Sequence, residues 1–341
     1  MNPEFGRRLL DWYGQNRRKL PWREDREFYH VYLSEIMLQQ TRAKAVVPYY
    51  GRFLSSFPTM EMFAKAPEDV YLKLWEGLGY YSRVKNLHKS IFEIVSSGKI
   101  PDTKKELLSL PGIGDYTACV LLAICYGKKE IALDGNLFRV FSRLTCYEKN
   151  PSEKGAKEDA KSYFLQRAVE DYGDFNQALM DLGEMICLPH GRPLCGGCPL
   201  REFCSSYENN TMLLYPKKKE KTMKKTVDKT VFVIVSDGKV LIRKREDKGL
   251  LASLYEFFNV DGIFNEEEAL VYLKGLGFDV LDLVPLGRHR HVFTHLVWNM
   301  VGYRVDVSKI KTLDKAFFSP IDRFKKDFAL PSAFVAFEKC L

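Results

Sequence analysis

The chain has 341 residues, enough for about two average domains. Hydrophobic residues make up 46% and charged ones 28%, the balance of a globular protein with a real core, and the longest apolar run, Ala118 to Cys125, is too short to span a bilayer. The net charge of +8 permits a nucleic-acid partner without specifying one, and neither a membrane-spanning nor a secreted protein is expected.

The start, Met1-Asn2-Pro3-Glu4-Phe5-Gly6-Arg7-Arg8, has no apolar stretch after its basic pair, so a cytoplasmic chain is expected. From residue 1 to about 208 the pattern is helix after helix. A helix is predicted over Phe5–Tyr13, stopped near Gly14, and another over Tyr29–Thr41, where Tyr29, Tyr32, Leu33, Ile36 and Met37 recur at helical spacing. Glu35 is the only acid between Glu27 and Glu61, flanked by Val31 (i−4) and Leu38 (i+3), with no Lys or Arg at i±3 or i±4. A carboxylate so placed on an apolar face has a raised pKa and suits a general acid; at the edge of the stripe it is a plain surface residue.

Helix-stop signals follow at Phe57-Pro58-Thr59, Ser97-Gly98-Lys99-Ile100-Pro101 and Leu110-Pro111-Gly112. Leu110-Pro111-Gly112-Ile113-Gly114-Asp115-Tyr116-Thr117-Ala118 lies between the helical Lys105–Ser109 stretch and an apolar helix. Gly112 and Gly114 allow a tight turn with free backbone N–H groups at a helix N-terminus, a phosphate site, although G-x-G is also a common plain turn. With Leu-Pro in front it resembles the helix-hairpin-helix of DNA-repair proteins. Next, Leu133-Asp134-Gly135-Asn136 precedes a helix carrying Leu137, Val140, Phe141 and Leu144, with Arg139 and Arg143. Asp134 reads as its N-cap, and a capping carboxylate at a pocket wall can also face a developing cation.

Four of the eight cysteines cluster: Cys187, Cys195, Cys198 and Cys204, with seven, two and five residues between them. Four thiolates this close imply a metal, and zinc or an iron–sulfur cluster satisfies them equally well. The others (Cys119, Cys125, Cys146 and Cys340) sit among apolar neighbours as small core residues. From Pro216 to Lys229, seven lysines (217, 218, 219, 221, 224, 225 and 229) face only Glu220 and Asp228, so residues 209–229 read as a basic linker. Beyond it the character changes. Thr230–Val235 and Val240–Arg243 are strands about the turn Ser236-Asp237-Gly238-Lys239, a helix is predicted over Glu266–Leu276, and His291–Tyr303 is strand-like.

Taken together these motifs resemble the adenine DNA glycosylase branch of the endonuclease III family, over nearly the whole chain. The resemblance rests on Leu20-Pro21-Trp22-Arg23, Leu33-Ser34-Glu35-Ile36-Met37-Leu38-Gln39-Gln40-Thr41, Trp75-Glu76-Gly77-Leu78-Gly79-Tyr80-Tyr81-Ser82-Arg83, the hairpin, Leu133-Asp134-Gly135-Asn136, Phe175-Asn176-Gln177-Ala178-Leu179-Met180-Asp181-Leu182-Gly183 and the four cysteines. It implies an all-α helix-hairpin-helix glycosylase domain with an iron–sulfur cluster over 1–208, then an α+β Nudix-like lesion-recognition domain over 230–341. The cysteines are implied to hold a [4Fe–4S] cluster, their first gap being one residue longer than usual.

The resemblance also implies a mechanism. The adenine of an A:8-oxoguanine or A:guanine mispair in double-stranded DNA is flipped out, Glu35 protonates it at N7, and Asp134 stabilises the sugar cation. Trp22, Arg23, Leu38, Thr41 and Gln177 align with substrate-binding residues, Gln40 and Tyr80 with residues that fill or wedge the stack, and Gly112 and Gly114 with the phosphate grip. Tyr116 stands where bifunctional members have a nucleophilic lysine, and a phenol cannot form a Schiff base, so a monofunctional, monomeric glycosylase is expected. Phe293-Thr294-His295 matches a Phe-Ser-His loop that inspects 8-oxoguanine, although a core strand also fits its alternation. Glu266-Glu267-Glu268-Ala269-Leu270 lacks the Arg-Glu and spacing of a Nudix magnesium site, so recognition rather than pyrophosphate hydrolysis is expected. The competing functions are a thymine or uracil mismatch glycosylase of the same fold and a non-catalytic lesion-binding module.

Overall fold

The computed structural model describes residues 3–217, 223–311, 313 and 315–341. The chain divides into two compact units, Met1–Lys65 with Asn86–Lys221, and Ala66–Lys85 with Thr222–Leu341.

The first unit is helical, with no strand among its described residues. It comprises α1 (Pro3–Asn16), α2 (Phe28–Leu38), α3 (Ala43–Ser56) and α4 (Met60–Ala64). Helix α5 (Glu68–Leu74) belongs to the second unit, and the boundary falls inside α6 (Ser82–Ser97). Helices α7 (Lys104–Ser109), α8 (Asp115–Tyr126), α9 (Gly135–Thr145), α10 (Ala156–Leu165), α11 (Tyr172–Met185) and α12 (Ser205–Glu208) complete it. Gly14 does not stop α1. A glycine inside a helix costs up to about 1 kcal/mol, and the burial of Phe5, Leu9 and Tyr13 on one face against Leu137, Phe164 and Phe175 outweighs it. Helix α2 ends at Leu38, short of Thr41, because Gln40 turns into the left-handed region (φ +58). It is buried almost all round, Ser34 and Glu35 included, so Glu35 is not an edge-of-stripe surface residue.

The second unit is built on one sheet: β1 (Lys225–Ser236), β2 (Lys239–Lys244), β3 (Tyr255–Asp261), β4 (Val280–Val292), β5 (Leu296–Val307) and β6 (Ala316–Pro320), in the order β4-β5-β1-β3-β2-β6. The β1–β5 pair is parallel and the others are antiparallel. The β1–β2 hairpin turns at Asp237 (φ +47) and Gly238 (φ +70), the left-handed pair of a two-residue turn. One sheet face packs Val231, Phe257 and Trp298 against Phe324 of α14 (Ile321–Asp327) and Phe337 of α15 (Val335–Glu338). The other packs Phe232, Ile234 and Tyr303 against Ala269 and Leu273 of α13 (Glu266–Gly275), which starts on an Asn265/Glu268 capping box.

Three further features differ from the sequence reading. Strand β1 begins at Lys225, so the basic segment feeds the sheet before residue 230; of that segment, residues 218–222 lie outside the described residues. The stretch 291–303 is not one strand: β4 ends at Val292 and β5 starts at Leu296, leaving Phe293-Thr294-His295 as the turn, closed by Phe293 N–H donating to the Leu296 carbonyl at 2.9 Å. No Gly, Pro or Asn marks that turn, so alternation alone ran through it. Residues 66–85, read as part of the helical domain, pack with the second unit. There Asp69 pairs with Lys244 (3.1 Å), Lys73 donates to the carbonyls of Lys325 (2.8 Å) and Phe328 (3.0 Å), and Glu76 accepts from Leu330 N–H (2.7 Å).

Candidate active site

A cavity of about 360 Å³ opens in the helical unit, and Glu35, Tyr116, Asp134, Trp22, Arg23, Leu38, Gln40, Thr41 and Gln177 all line it. They arrive from the Pro21–Arg23 turn, α2 and the segment after it, α8, the N-cap of α9 and α11, so the sequence motifs converge only through the fold. Glu35 is set by the central helix α2. Burial is the dominant influence on its carboxyl and pushes its pKa up to about 7. A hydrogen bond from Tyr116 and the charge of Arg23 pull the other way, and Asp134 adds to the rise.

Tyr116 sits in the first turn of α8, just past the hairpin, and burial followed by the charges of Glu35 and Asp134 holds its phenol protonated. Asp134 caps α9, accepting from Leu137 N–H at 2.8 Å. Partial burial raises its pKa, opposed by the backbone donors of Leu137 and Asn136 and by the charge of Arg139.

The cavity's other walls are fixed by groups that periodicity did not single out. Asp181 on α11 is fully buried and takes both Arg18 (2.6 Å) and Arg23 (2.7 and 3.0 Å, bidentate). Tyr13 donates to Gln177 Oε1 at 2.8 Å, which fixes the amide so that its NH₂ is the donor this residue offers. Trp22 is buried edge-on against Tyr50. Asn136 and Glu184, also lining the cavity, are joined by a 3.1 Å hydrogen bond. Asp181 and Gln177 stand inside a quoted motif, but nothing local announces their partners, which lie more than 150 residues away.

At the hairpin, Gly112 has φ +80, and a Cβ there would lie 2.7 Å from Asn86 Cβ, so the fold itself demands glycine. Gly114, the N-cap of α8, has open space where a side chain would stand, room for an approaching ligand at the helix N-terminus.

Cys187, Cys195, Cys198 and Cys204 line one small apolar cavity of about 30 Å³, and Arg143 donates to Cys187 Sγ at 3.2 Å. Among the described residues, no three His, Cys, Asp or Glu side chains converge on a single metal ion. A set of four thiols in apolar surroundings is the donor chemistry of an iron–sulfur cluster and fits that group.

Tyr80, Phe293, Thr294 and His295 belong to the second unit. Tyr80 Oη lies 3.1 Å from Thr294 Oγ1, while Phe293 packs on Trp298 and His291. Thr294 and His295 are exposed at the turn. No helix is long and apolar enough to cross a membrane among the described residues.

A profile of the HhH-GPD superfamily of base excision DNA repair proteins matches residues 33–165, and a NUDIX domain profile matches 230–337. Two curated relatives, both adenine DNA glycosylases, come from Buchnera aphidicola. The chain is 35% identical to that of the Schizaphis graminum strain (92% of this chain, 90% of the relative) and 31% identical to that of the Baizongia pistaciae strain (90% and 87%). The adenine DNA glycosylase of Rattus norvegicus is 30% identical over 86% of this chain and 68% of its own. Among solved structures, a thermostable thymine-DNA glycosylase superposes with a TM-score of 0.54 at 29% identity (60% of this chain, 95% of that one). An endonuclease III–DNA complex superposes with 0.51 at 20% (62% and 98%), a likeness of fold.

Proposed function

Since the chain belongs to the adenine DNA glycosylase family and is a hydrolase of adenine base excision, we propose that it removes adenine mispaired with 8-oxoguanine, or with guanine, from duplex DNA, acting as a monomer and without nicking the strand. One observation carries the reading: a buried acid with a pKa near 7 shares a cavity with a second, partly buried carboxylate.

Chemistry on a stacked base requires that it be turned out of the helix, and the cavity is large enough for a purine. Gly112 and Gly114 grip the strand by backbone N–H groups at the start of α8. Trp22, Arg23, Leu38, Thr41 and Gln177 hold the adenine, and Gln40 fills space in the stack. Glu35 is half protonated at neutral pH and delivers its proton to adenine N7, so the base departs neutral. Asp134, tied by its capping bond, faces with its carboxylate the positive charge that develops on the sugar, and water completes the hydrolysis. Tyr116 donates to Glu35 and supplies no amine, so attack at C1′ by an amine does not occur. Cys187, Cys195, Cys198 and Cys204 hold a [4Fe–4S] cluster, which when bound cross-links the end of the helical unit and adds a one-electron redox centre. In the second unit, Phe293, Thr294 and His295 read the base opposite the adenine, Thr294 through a hydroxyl able to answer the N7–H and O8 that distinguish 8-oxoguanine from guanine.

A single-turnover assay on duplexes bearing adenine opposite 8-oxoguanine, guanine and thymine, together with G:T and G:U, tests the proposal. Adenine release, fastest opposite 8-oxoguanine, is expected. Release of thymine or uracil instead would favour a mismatch glycosylase, and binding without release a lesion-binding module.

A further inference from the structure

We infer that the second unit carries a phosphate site for the DNA strand that bears the inspected base. It is a basic cavity beside the Phe293-Thr294-His295 turn, and it takes backbone phosphates about three nucleotides from that base. The inference rests on the reading role given to the turn above and adds the contact that holds the strand against it.

The cavity has a volume of about 550 Å³ and lies within the second unit alone. Six cations line it: Lys229, Arg243, Lys244, Arg245, Lys248 and Lys315. Three acids accompany them, so the walls carry three positive charges in excess, in a chain whose whole net charge is +8. A charge run on an ordinary surface spreads into solvent. These cations instead converge on one hollow from β1, β2, the loop after β2 and the residue before β6.

The acids fix the cations in place. Glu256 on β3 is 1% exposed and holds two guanidiniums, Arg243 at 2.7 Å and Arg245 beside it. One buried carboxylate between two guanidiniums leaves a net positive group whose remaining N–H donors keep a set direction. Asp261 pairs with Lys229 (2.7 Å) and Glu246 with Lys315 (2.5 Å), and both of these carboxylates are exposed. The surrounding backbone is strained as well. Leu251 (φ +57), Ser253 (φ +62) and Lys315 (φ +57) occupy the left-handed region without being glycine, and strain of this kind collects at ligand sites. The loop carrying the first two is stapled through the buried Ser253 hydroxyl, which accepts from Lys85 at 2.5 Å and donates to Asp247 at 2.9 Å.

An excess of fixed cations in a hollow selects a polyanion, and position favours the DNA backbone over a free phosphate compound. The Trp298 ring lies 5.0 Å from Lys229 Nζ and 5.9 Å from the Arg245 guanidinium, and on its other contact 4.9 Å from the Phe293 ring. One aromatic side chain therefore separates the cations from the reading turn. The reach from Phe293 to Arg245 through that ring is about 11 Å, some three nucleotides at about 3.4 Å of rise each. A strand whose base is read at the turn brings its next phosphates over these cations. Contacts of that kind carry no sequence information but set the register in which a base is presented.

The test measures the affinity of the full chain for a mispaired duplex at several salt concentrations, with a 2′-fluoro sugar on the adenine so that it is not excised. Lys248→Gln and Lys315→Gln, both exposed, should each lower the slope of log affinity against log salt by about one. Lys248→Arg keeps the charge and should bind as wild type does, and Lys326→Gln, exposed elsewhere in the second unit, should leave the slope unchanged. Replacing single phosphates of the opposite strand by neutral methylphosphonates then locates the contact. Neutralising a phosphate about three nucleotides from the inspected base should weaken wild-type binding about threefold. The Lys248→Gln/Lys315→Gln double variant should not feel that change, because the partner charge is already gone. Unchanged slopes in both lysine variants, an identical methylphosphonate pattern in wild type and double variant, or sensitive phosphates confined to the adenine strand would each overturn the proposal. So would inorganic pyrophosphate binding that the double variant abolishes while the DNA slopes stay intact, since the cavity would then serve a small phosphate compound. A wild-type chain that excised adenine equally fast opposite 8-oxoguanine and guanine marks failure of the reading turn; a normal preference with unchanged slopes marks failure of the phosphate site.

Discussion

The Tyr116 hydroxyl donates a hydrogen bond to the Glu35 carboxyl inside the helical unit. The bond favours the ionised acid, yet burial outweighs it and Glu35 remains near pKa 7. Glu35 therefore sits on the edge of protonation under physiological conditions, while the phenol stays protonated.

Single-turnover excision should accordingly be flat below pH 7 and fall about tenfold per unit above it, as the protonated fraction of Glu35 does. Glu35→Gln should bind the mispaired duplex and lose several kcal/mol of barrier lowering, since an amide delivers no proton. Near-wild-type excision by that variant would remove Glu35 from the mechanism. The sign for stability follows. An acid whose pKa rises on folding binds more protons folded than unfolded, so its stability contribution is complete below about pH 4.5 and lost as the pH climbs through 7. Glu35→Gln should thus gain up to about 3 kcal/mol relative to wild type at pH 8, a gain absent at pH 4 in urea unfolding.

Tyr116→Lys places an amine in the cavity that Glu35 and Asp134 also line. It should gain strand nicking that borohydride traps as a covalent complex, with Glu35 or Asp134 able to take the proton. Intact glycosylase activity with nothing trapped would mean that residue 116 does not face C1′.

Purified protein should be yellow-brown, with broad visible absorbance from thiolate-to-iron charge transfer, and Cys198→Ser should be poorly soluble or bind DNA weakly. A colourless, fully active preparation holding one zinc per chain would overturn the cluster assignment.

Asp181→Asn should destabilise the helical unit by about 3–5 kcal/mol, because two guanidiniums, Arg18 and Arg23, lose their shared buried carboxylate. Thermal unfolding should show it as a fall of about 10 °C, with the affinity for mispaired DNA falling too if Arg23 leaves the cavity wall. An unchanged Tm would show that solvent, not Asp181, carries those charges.

Much of the site was legible because its signals are local. A cap such as Asp134, a G-x-G between helices, four close cysteines and an isolated acid on an apolar helix all advertise themselves within ten or so residues. What escaped is non-local. Asp181 reads as one more acid on a helix until Arg18 and Arg23 arrive from the other end of the chain. The packing of residues 66–85 with the sheet unit has no periodicity to betray it, being made by Asp69, Lys73 and Glu76, which look like ordinary surface charges. The turn at Phe293-Thr294-His295 was hidden for a related reason. It is held by Phe293 packing on Trp298 rather than by turn-forming residues, so the alternation around it continued unbroken in sequence while the backbone reversed.

Asp134 holds two roles in one carboxylate, and substitution can separate them. As N-cap it needs only an oxygen that accepts from Leu137 N–H, 2.8 Å away, and asparagine offers one. As the partner of a developing sugar cation it needs a full negative charge, which asparagine lacks. Asp134→Asn should therefore unfold within a few tenths of a kcal/mol of wild type, keep its affinity for mispaired DNA, and yet excise adenine orders of magnitude more slowly. Asp134→Ala should lose both, with stability down by about 1 kcal/mol as for other lost caps. Asp134→Glu should keep the charge but displace it by one methylene, retaining some excision at a weakened cap. If Asp134→Asn were as unstable as Asp134→Ala, the carboxylate charge would be part of the cap, through the Asn136 donor and Arg139 that also favour its ionised form. If Asp134→Asn excised adenine at the wild-type rate, the cap would be the residue's whole function, and stabilisation of the sugar cation would have to come from elsewhere in the cavity.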